Sequence, residues 1–135
     1  MANNLKLSNA AVNAEADALA RLLDNGYVRI YSGTQPATAD TALSGNTLLA
    51  ELRVNATSAP AAVAGALTFN AVTSDTSNDA TGTATFFRAF KSDGTSVVMD
   101  GSVGTAAADM IINSVAIQVG AQTDVTAWTH TVPKT

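Results

Sequence analysis

Asp24-Asn25-Gly26-Tyr27-Val28-Arg29-Ile30-Tyr31 is the stretch at which the chain changes its hydrophobic period. Upstream of it, Val12, Ala16, Leu19 and Leu23 recur at helical spacings and fall on one stripe. Ser8 is a good N-cap for that stripe, and good helix formers run from Ala10 to Leu23. Glu15 and Asp17 lie in its N-terminal half and Arg21 near its end, as the helix dipole prefers. The pair Asn25-Gly26 supplies the left-handed residue that stops it. The pattern predicts a helix over about residues 9–24. Downstream, Tyr27, Arg29 and Tyr31 alternate with Val28 and Ile30, the period of a half-buried strand.

From Gly26 onward the chain reads as strands and turns. Residues 32–46 carry Gly33, Pro36 and Gly45 and read as a long loop. Leu48, Leu49, Leu52 and Val54 predict a second strand with Glu51 and Arg53 outward, and residues 56–66 read as an Ala-rich loop or arm. Leu67, Phe69 and Val72 suggest a short strand, and residues 73–81 a polar turn. Residues 83–91, with Phe86, Phe87 and Phe90, predict a strong strand. Asp93-Gly94 suits a tight primed hairpin turn, after which residues 96–99 return antiparallel. Asp100-Gly101 and Gly104 are expected to turn the chain again. Two last strands cover residues 110–119, broken near Asn113, and residues 124–132. Short strands with turn signals at this spacing predict a mainly β fold, an antiparallel β-sandwich of jelly-roll-like form with one N-terminal α-helix. One domain is expected over residues 1–135, with an arm and helix in 1–26 and the sandwich in 27–135. The helix is expected to be an appendage that covers an edge or makes contacts outside the domain.

Composition narrows the function. Of the 135 residues 47% are hydrophobic, but 27 are Ala, so seven aromatics and ten Leu must fill the core. Charged residues are only 13%, about half the usual share, and neutral Thr, Ser, Asn and Gly must cover the surface. Such a surface suits contact with another protein, because few charges need desolvating. The net charge is −4 and the seven Lys and Arg are scattered, which argues against nucleic acid and against anionic membranes. Met1-Ala2-Asn3-Asn4-Leu5-Lys6 has neither a charged nor an apolar leader region, and residues 59–67 are too short to span a bilayer. Without Cys there is no disulfide, so packing or oligomerisation must stabilise the chain. A homo-oligomer, dimer or trimer, is expected, burying apolar faces such as Val12, Leu19 and Leu23 between copies.

Catalytic chemistry finds little to build on. His130, the one histidine, is flanked by Thr129 and Thr131 and reads as an exposed strand residue, with no nucleophile elbow around any Ser. A zinc site needs more His or Cys than the chain has. Paired carboxylates could serve glycoside hydrolysis. Yet Asp24, Asp75, Asp93 and Asp100 sit beside turn residues, Glu15 and Asp17 on the helix, and Asp40, Asp109 and Asp124 at strand or loop ends. The loop Asp75-Thr76-Ser77-Asn78-Asp79 could offer oxygens to calcium but lacks the Gly and distal Glu of an EF-hand, so it reads as a solvated turn. Residues 101–104 lack the Lys and Ser or Thr that must follow a phosphate loop. Phe86, Phe87, Phe90 and Trp128 read as a core cluster, with a carbohydrate-stacking platform as the alternative. The expectation is a non-enzyme with no catalytic, cofactor or metal residues.

Longer motifs carry a resemblance. Leu22-Leu23-Asp24-Asn25-Gly26-Tyr27-Val28-Arg29-Ile30-Tyr31-Ser32-Gly33-Thr34-Gln35-Pro36 is similar to a recurrent segment of small proteins encoded among tailed-phage head genes. So are Asp79-Ala80-Thr81-Gly82-Thr83-Ala84-Thr85-Phe86-Phe87-Arg88, then Ser92-Asp93-Gly94-Thr95 and Asp100-Gly101-Ser102-Val103-Gly104. These motifs in this order cover most of the chain, which resembles head decoration (capsid cement) proteins. The resemblance implies a jelly-roll-like virion protein on the capsid surface, made in the bacterial host cytoplasm, whose partners are the major capsid protein and itself. It carries over no catalytic residues. The segment before Ser8 and the loops 32–46 and 55–65 are the expected reaching elements. The alternative is a phage tail or baseplate accessory protein, with a glycan binder as one form of it, and that form would need Phe86, Phe87, Phe90 and Trp128 exposed.

Overall fold

In the computed structural model, which describes residues 3–135, one helix precedes nine strands. Helix α1 spans Asn9–Leu23, and the Ser8 hydroxyl accepts the Ala11 N–H at 3.1 Å as its N-cap. Asn25 takes the left-handed conformation (φ 57°) that ends it, and the Gly26 N–H donates to the Leu23 carbonyl. The buried stripe is Val12, Ala16, Ala20 and Leu23, with Leu19 half-buried at its margin. It is buried within the chain itself, so Val12 and Leu23 are not a surface that a second copy could cover. The helix lies against an edge strand of the sheet and adds Ala16, Ala20 and Leu23 to the one apolar core. It thus covers an edge, one of the two expected roles, but as part of the packed core rather than as an appendage.

The strands are β1 (Tyr27–Tyr31), β2 (Leu48–Arg53), β3 (Ala66–Thr68), β4 (Gly82–Thr83), β5 (Phe86–Phe90), β6 (Val97–Gly104), β7 (Met110–Ile112), β8 (Ala116–Ile117) and β9 (Val125–Thr131). Seven form a curled sheet in the order β2-β1-β5-β6-β7-β9-β3, and β4 pairs with β8 apart from it. The curl brings its edges together. The chain leaves β3 and, at Thr73, exchanges both backbone hydrogen bonds with Arg53 at the end of β2.

The sheet is mixed, which corrects the expectation of a purely antiparallel one. β6 and β7 run parallel, Val103 opposite Met110 and Gly104 opposite Ile111. A parallel pair usually needs a long crossover. Here only two residues pair, so a short link suffices, and Asp109 clamps it by accepting the Ser102 N–H and hydroxyl at 2.8 and 3.0 Å.

Two turn expectations and one strand expectation also change. Asp100-Gly101 does not turn the chain. β6 runs straight through it, because Asp100 pairs with Arg88 and Gly101 lies beneath the Phe87 ring, where an added Cβ would be 2.6 Å from Cε1. The β5–β6 hairpin is antiparallel as expected, but its turn is wider than a primed two-residue one. Lys91 N–H bonds Ser96 O, only Gly94 has positive φ, and Asp93 accepts from the Thr95 and Ser96 amides. Residues 83–91 form β4 and β5 separated by Ala84 and Thr85.

β5 is buried on both faces. Phe87 and Ala89 enter the core with Val28, Ile30, Leu52 and Trp128. On the other face the register sets cross-strand rows: Arg53, Tyr27 and Phe90; then Glu51, Arg29, Arg88 and Asp100; then Leu48, Tyr31, Phe86 and Ser102. The second row holds two ion pairs, Arg29–Glu51 at 2.7 Å and Arg88–Asp100 at 2.6 Å. The Arg53 guanidinium lies over the Tyr27 ring, 4.2 Å from its centroid. Loop 32–46 folds over this face: Arg88 donates to the Thr41 carbonyl at 2.8 Å, and Thr85 donates to the Gly33 carbonyl. Residues 55–65 are likewise tied down, along α1. Ser58 donates to Ala20 O, Ala62 N–H to Asp17, and Gly65 N–H to Asn13. Both loops expected to reach outward are held on their own chain.

Candidate functional site

The residues singled out for chemistry are mostly spent on structure. Eight of the eleven carboxylates hold other parts of the chain: Asp17, Asp24, Glu51, Asp75, Asp93, Asp100, Asp109 and Asp124. Asp124 accepts from Ser74 as well as Gln122. Such bonds favour the charged form. Hydrogen bonds from the Ser96 hydroxyl and the Ser96 and Thr95 amides pull the Asp93 carboxyl down to about 2. Its contribution to the turn is therefore present above the ordinary carboxylate pKa and is lost as pH falls through about 2.

In loop 75–79 one Asp75 oxygen accepts the Glu51 N–H and the other the Ser77 N–H. The buried Asn78 donates to Gln118 O and accepts the hydroxyl of the fully buried Thr123. These oxygens pin the loop against β2 and residues 118–123. No three acidic, His or Cys side chains among the described residues are placed to hold a metal ion.

Asp79 is the exception. Desolvation, and then the neighbouring Asp75 and Glu51 carboxylates, raise its pKa above the ordinary value. A carboxyl with a raised pKa destabilises the fold once it ionises, so Asp79→Asn should raise the melting temperature at pH 7. The gain should disappear as pH falls below the unfolded carboxyl value, about 4, where both states are protonated. Thermal unfolding of both proteins across that range checks the sign.

Phe86, Phe87, Phe90 and Trp128 are 0, 1, 6 and 4% exposed. Trp128 stacks on Phe69 at 3.9 Å and meets Phe87 edge-on at 5.5 Å, and Phe86 stacks on Tyr31. No ring of the four is free to stack on a sugar.

The structure does form one cleft that brings functional groups together. It has a volume of about 400 Å³ between α1 and the sheet, with Val98, Met99 and Asp100 of β6 on one side. Trp128, Thr129 and His130 of β9 stand on the other, with Leu19, Phe87 and Asp109 completing it. His130 is half-buried in β9 opposite Leu67 of β3, not fully exposed as its Thr-flanked sequence suggests. The acids beside it are engaged, Asp100 by Arg88 and Asp109 by Ser102. The cleft therefore presents apolar side chains, backbone and one imidazole, a set suited to binding. Leu19, Val98, Met99 and Thr129 carried no sequence signal for it, since each reads alone as an ordinary helix or strand position.

Among the described residues no helix is long and apolar enough to cross a membrane. Compared with protein-family models, curated proteins and solved structures, the chain finds no match in any of the three.

Proposed function

We propose that this chain is a phage virion structural protein, a capsid decoration or cement protein. It binds the outside of the major capsid protein shell, and its other partner is itself. The observation that carries the reading is how the polar groups are used. The few charges tie loops and turns to a rigid curled sheet, leaving a surface dominated by Thr, Ser, Asn and Ala. Such a body gives a neutral surface for close protein contact and little apparatus for turnover. In this reading the curled sheet is a jelly-roll-like scaffold with one parallel pair, and the motifs between Leu22 and Gly104 supply the likeness to phage head proteins. The glycan-binding tail alternative loses its aromatic platform, because the four rings are buried.

Such a protein works by passive binding. A copy bridging capsid subunits binds the assembled shell and not its dissociated parts, so mass action favours the intact particle. Many copies on one particle make modest contacts sufficient. With few charges at the contact, added salt should weaken it little. Particles with the protein should retain DNA to a higher temperature than particles without it, at low and high salt alike. Equal release temperatures would exclude the cement role and leave a tail accessory role as the better reading.

A further inference from the structure

The cleft marks a place where the sheet lacks a strand. β7 is three residues long and joins β6 only at Val103 and Gly104, and β9 only between Val125 and Trp128. There β6 and β9 are second neighbours, about 10 Å apart as two strand spacings require. Beyond the start of β7 both strands continue. β6 keeps β5 on one side and β9 keeps β3 on the other, and among the described residues no strand lies between them. The walls of the cleft are these two continuations.

Their backbones face the gap. The Val103 N–H points to the β5 side, where it meets the carbonyl of Thr85 just before β5, while the Ser102 N–H points the other way to Asp109. Alternation along the strand then turns the Asp100 N–H and C=O into the gap. On β9, Trp128 O and the Val132 N–H bond the β3 side, so the backbone groups of Thr129 and Thr131 face the gap. Two strand edges with outward amides and carbonyls are a template for an added strand. A helix, about 10–12 Å across, would have to part the walls.

We propose that this slot takes up an extended strand, residues 3–6 of a second copy of the chain. That segment has no regular structure here, and Leu5 is 71% exposed, an apolar side chain without a place in its own fold. Leu7, whose N–H bonds Lys134 O, is the pivot from which the segment departs. In the slot Leu5 covers the half-buried Leu19 and Met99, and Lys6 meets Asp109, the exposed carboxylate at the slot's end. The choice of a second copy rests on the self-association proposed above.

The chain has no cysteine, so a Leu5→Cys, His130→Cys double variant, His130 lying in the slot on the same face of β9 as Trp128, reads the contact directly. On oxidation it should give covalent dimers and larger species on a non-reducing gel. Wild-type protein at high micromolar concentration should sediment at a multiple of the chain mass. Leu5→Asp, and Thr129→Pro, which removes a slot-facing N–H, should return it to one chain with unchanged far-ultraviolet circular dichroism. Should Thr129→Pro not fold, Leu5→Asp at its exposed position carries the test alone. A monomeric wild type, a disulfide closed within one chain, or an oligomer indifferent to Leu5→Asp each overturns the inference. None of these alters the comparison of particle stability, which decides shell binding separately.

Discussion

Arg88→Ala is expected to destabilise the protein by about 3–5 kcal/mol, the range for breaking a buried ion pair from one side. A domain's whole stability is about 5–15 kcal/mol, so this one change should remove a large share of it. The geometry explains the size. Arg88 and Asp100 side chains are 5 and 4% exposed and joined by two bonds, Nε to Oδ1 at 2.6 Å and a terminal nitrogen to Oδ2 at 2.8 Å. The Asp100 hydrogen bond raises the Arg88 pKa despite burial, so the guanidinium stays charged. Alanine would leave the Asp100 carboxylate buried without its counter-charge. It would also free the Thr41 carbonyl, which Arg88 holds, and so loosen loop 32–46. Denaturant unfolding measures the loss, and faster proteolysis near residues 38–41 reports the loop.

The double variant Arg88→Met, Asp100→Leu separates charge from packing. Replacing a buried pair with apolar groups of similar volume is often neutral or stabilising. It should therefore recover most of the loss while the loop stays protease-sensitive, because no apolar side chain can hold the Thr41 carbonyl. A double variant as unstable as Arg88→Ala would show that shape, not charge, sets the cost.

What could be read from the sequence was whatever depends on near neighbours. The helix, its Ser8 cap and its end at Asn25 follow from spacing and capping, and the alternation of β1 appears in the structure from Tyr27 to Ile30, while Tyr31 is buried as well. Asp100-Gly101 misled because Asp-Gly is turn chemistry only where nothing stronger competes. Here a charge twelve residues upstream, Arg88, holds Asp100 in a strand. That pair had a signal: Arg88 lies inside an apolar run, and a hairpin centred near Asp93-Gly94 puts it opposite residue 99 or 100. The parallel β6–β7 pair had none, since it depends on a link closed by Asp109.

The cleft was not legible for a related reason. Its walls are ordinary strand residues, and what makes it a site is the shortness of β7 between two longer neighbours. A gap in a sheet is a property of register and length in three strands together, and no local pattern encodes it. The aromatic quartet was legible, because four large rings in a chain so rich in Ala had to fill the core.

Gly26 gives the second large effect, and there the sequence argument and the structure lead to opposite substitutions. An Asn-Gly pair at a helix end suggests that glycine is present for its freedom at positive φ. In the structure Asn25 takes that conformation, while Gly26 is needed for room. A Cβ on Gly26 would lie 2.1 Å from the Phe90 carbonyl oxygen and 2.8 Å from that of Leu23. Both are backbone atoms, one in β5 and one at the helix end, so neither can rotate away. Gly26→Ala should therefore cost about 3 kcal/mol, the upper part of the range for overpacking. Asn25→Gly should change stability by only a few tenths of a kcal/mol, because relief at positive φ offsets glycine's greater unfolded-state entropy. Denaturant midpoints of the two single variants decide the matter. The reverse order, with Gly26→Ala tolerated and Asn25→Gly harmful, would mean that the close approach of the helix end to β5 does not exist in solution.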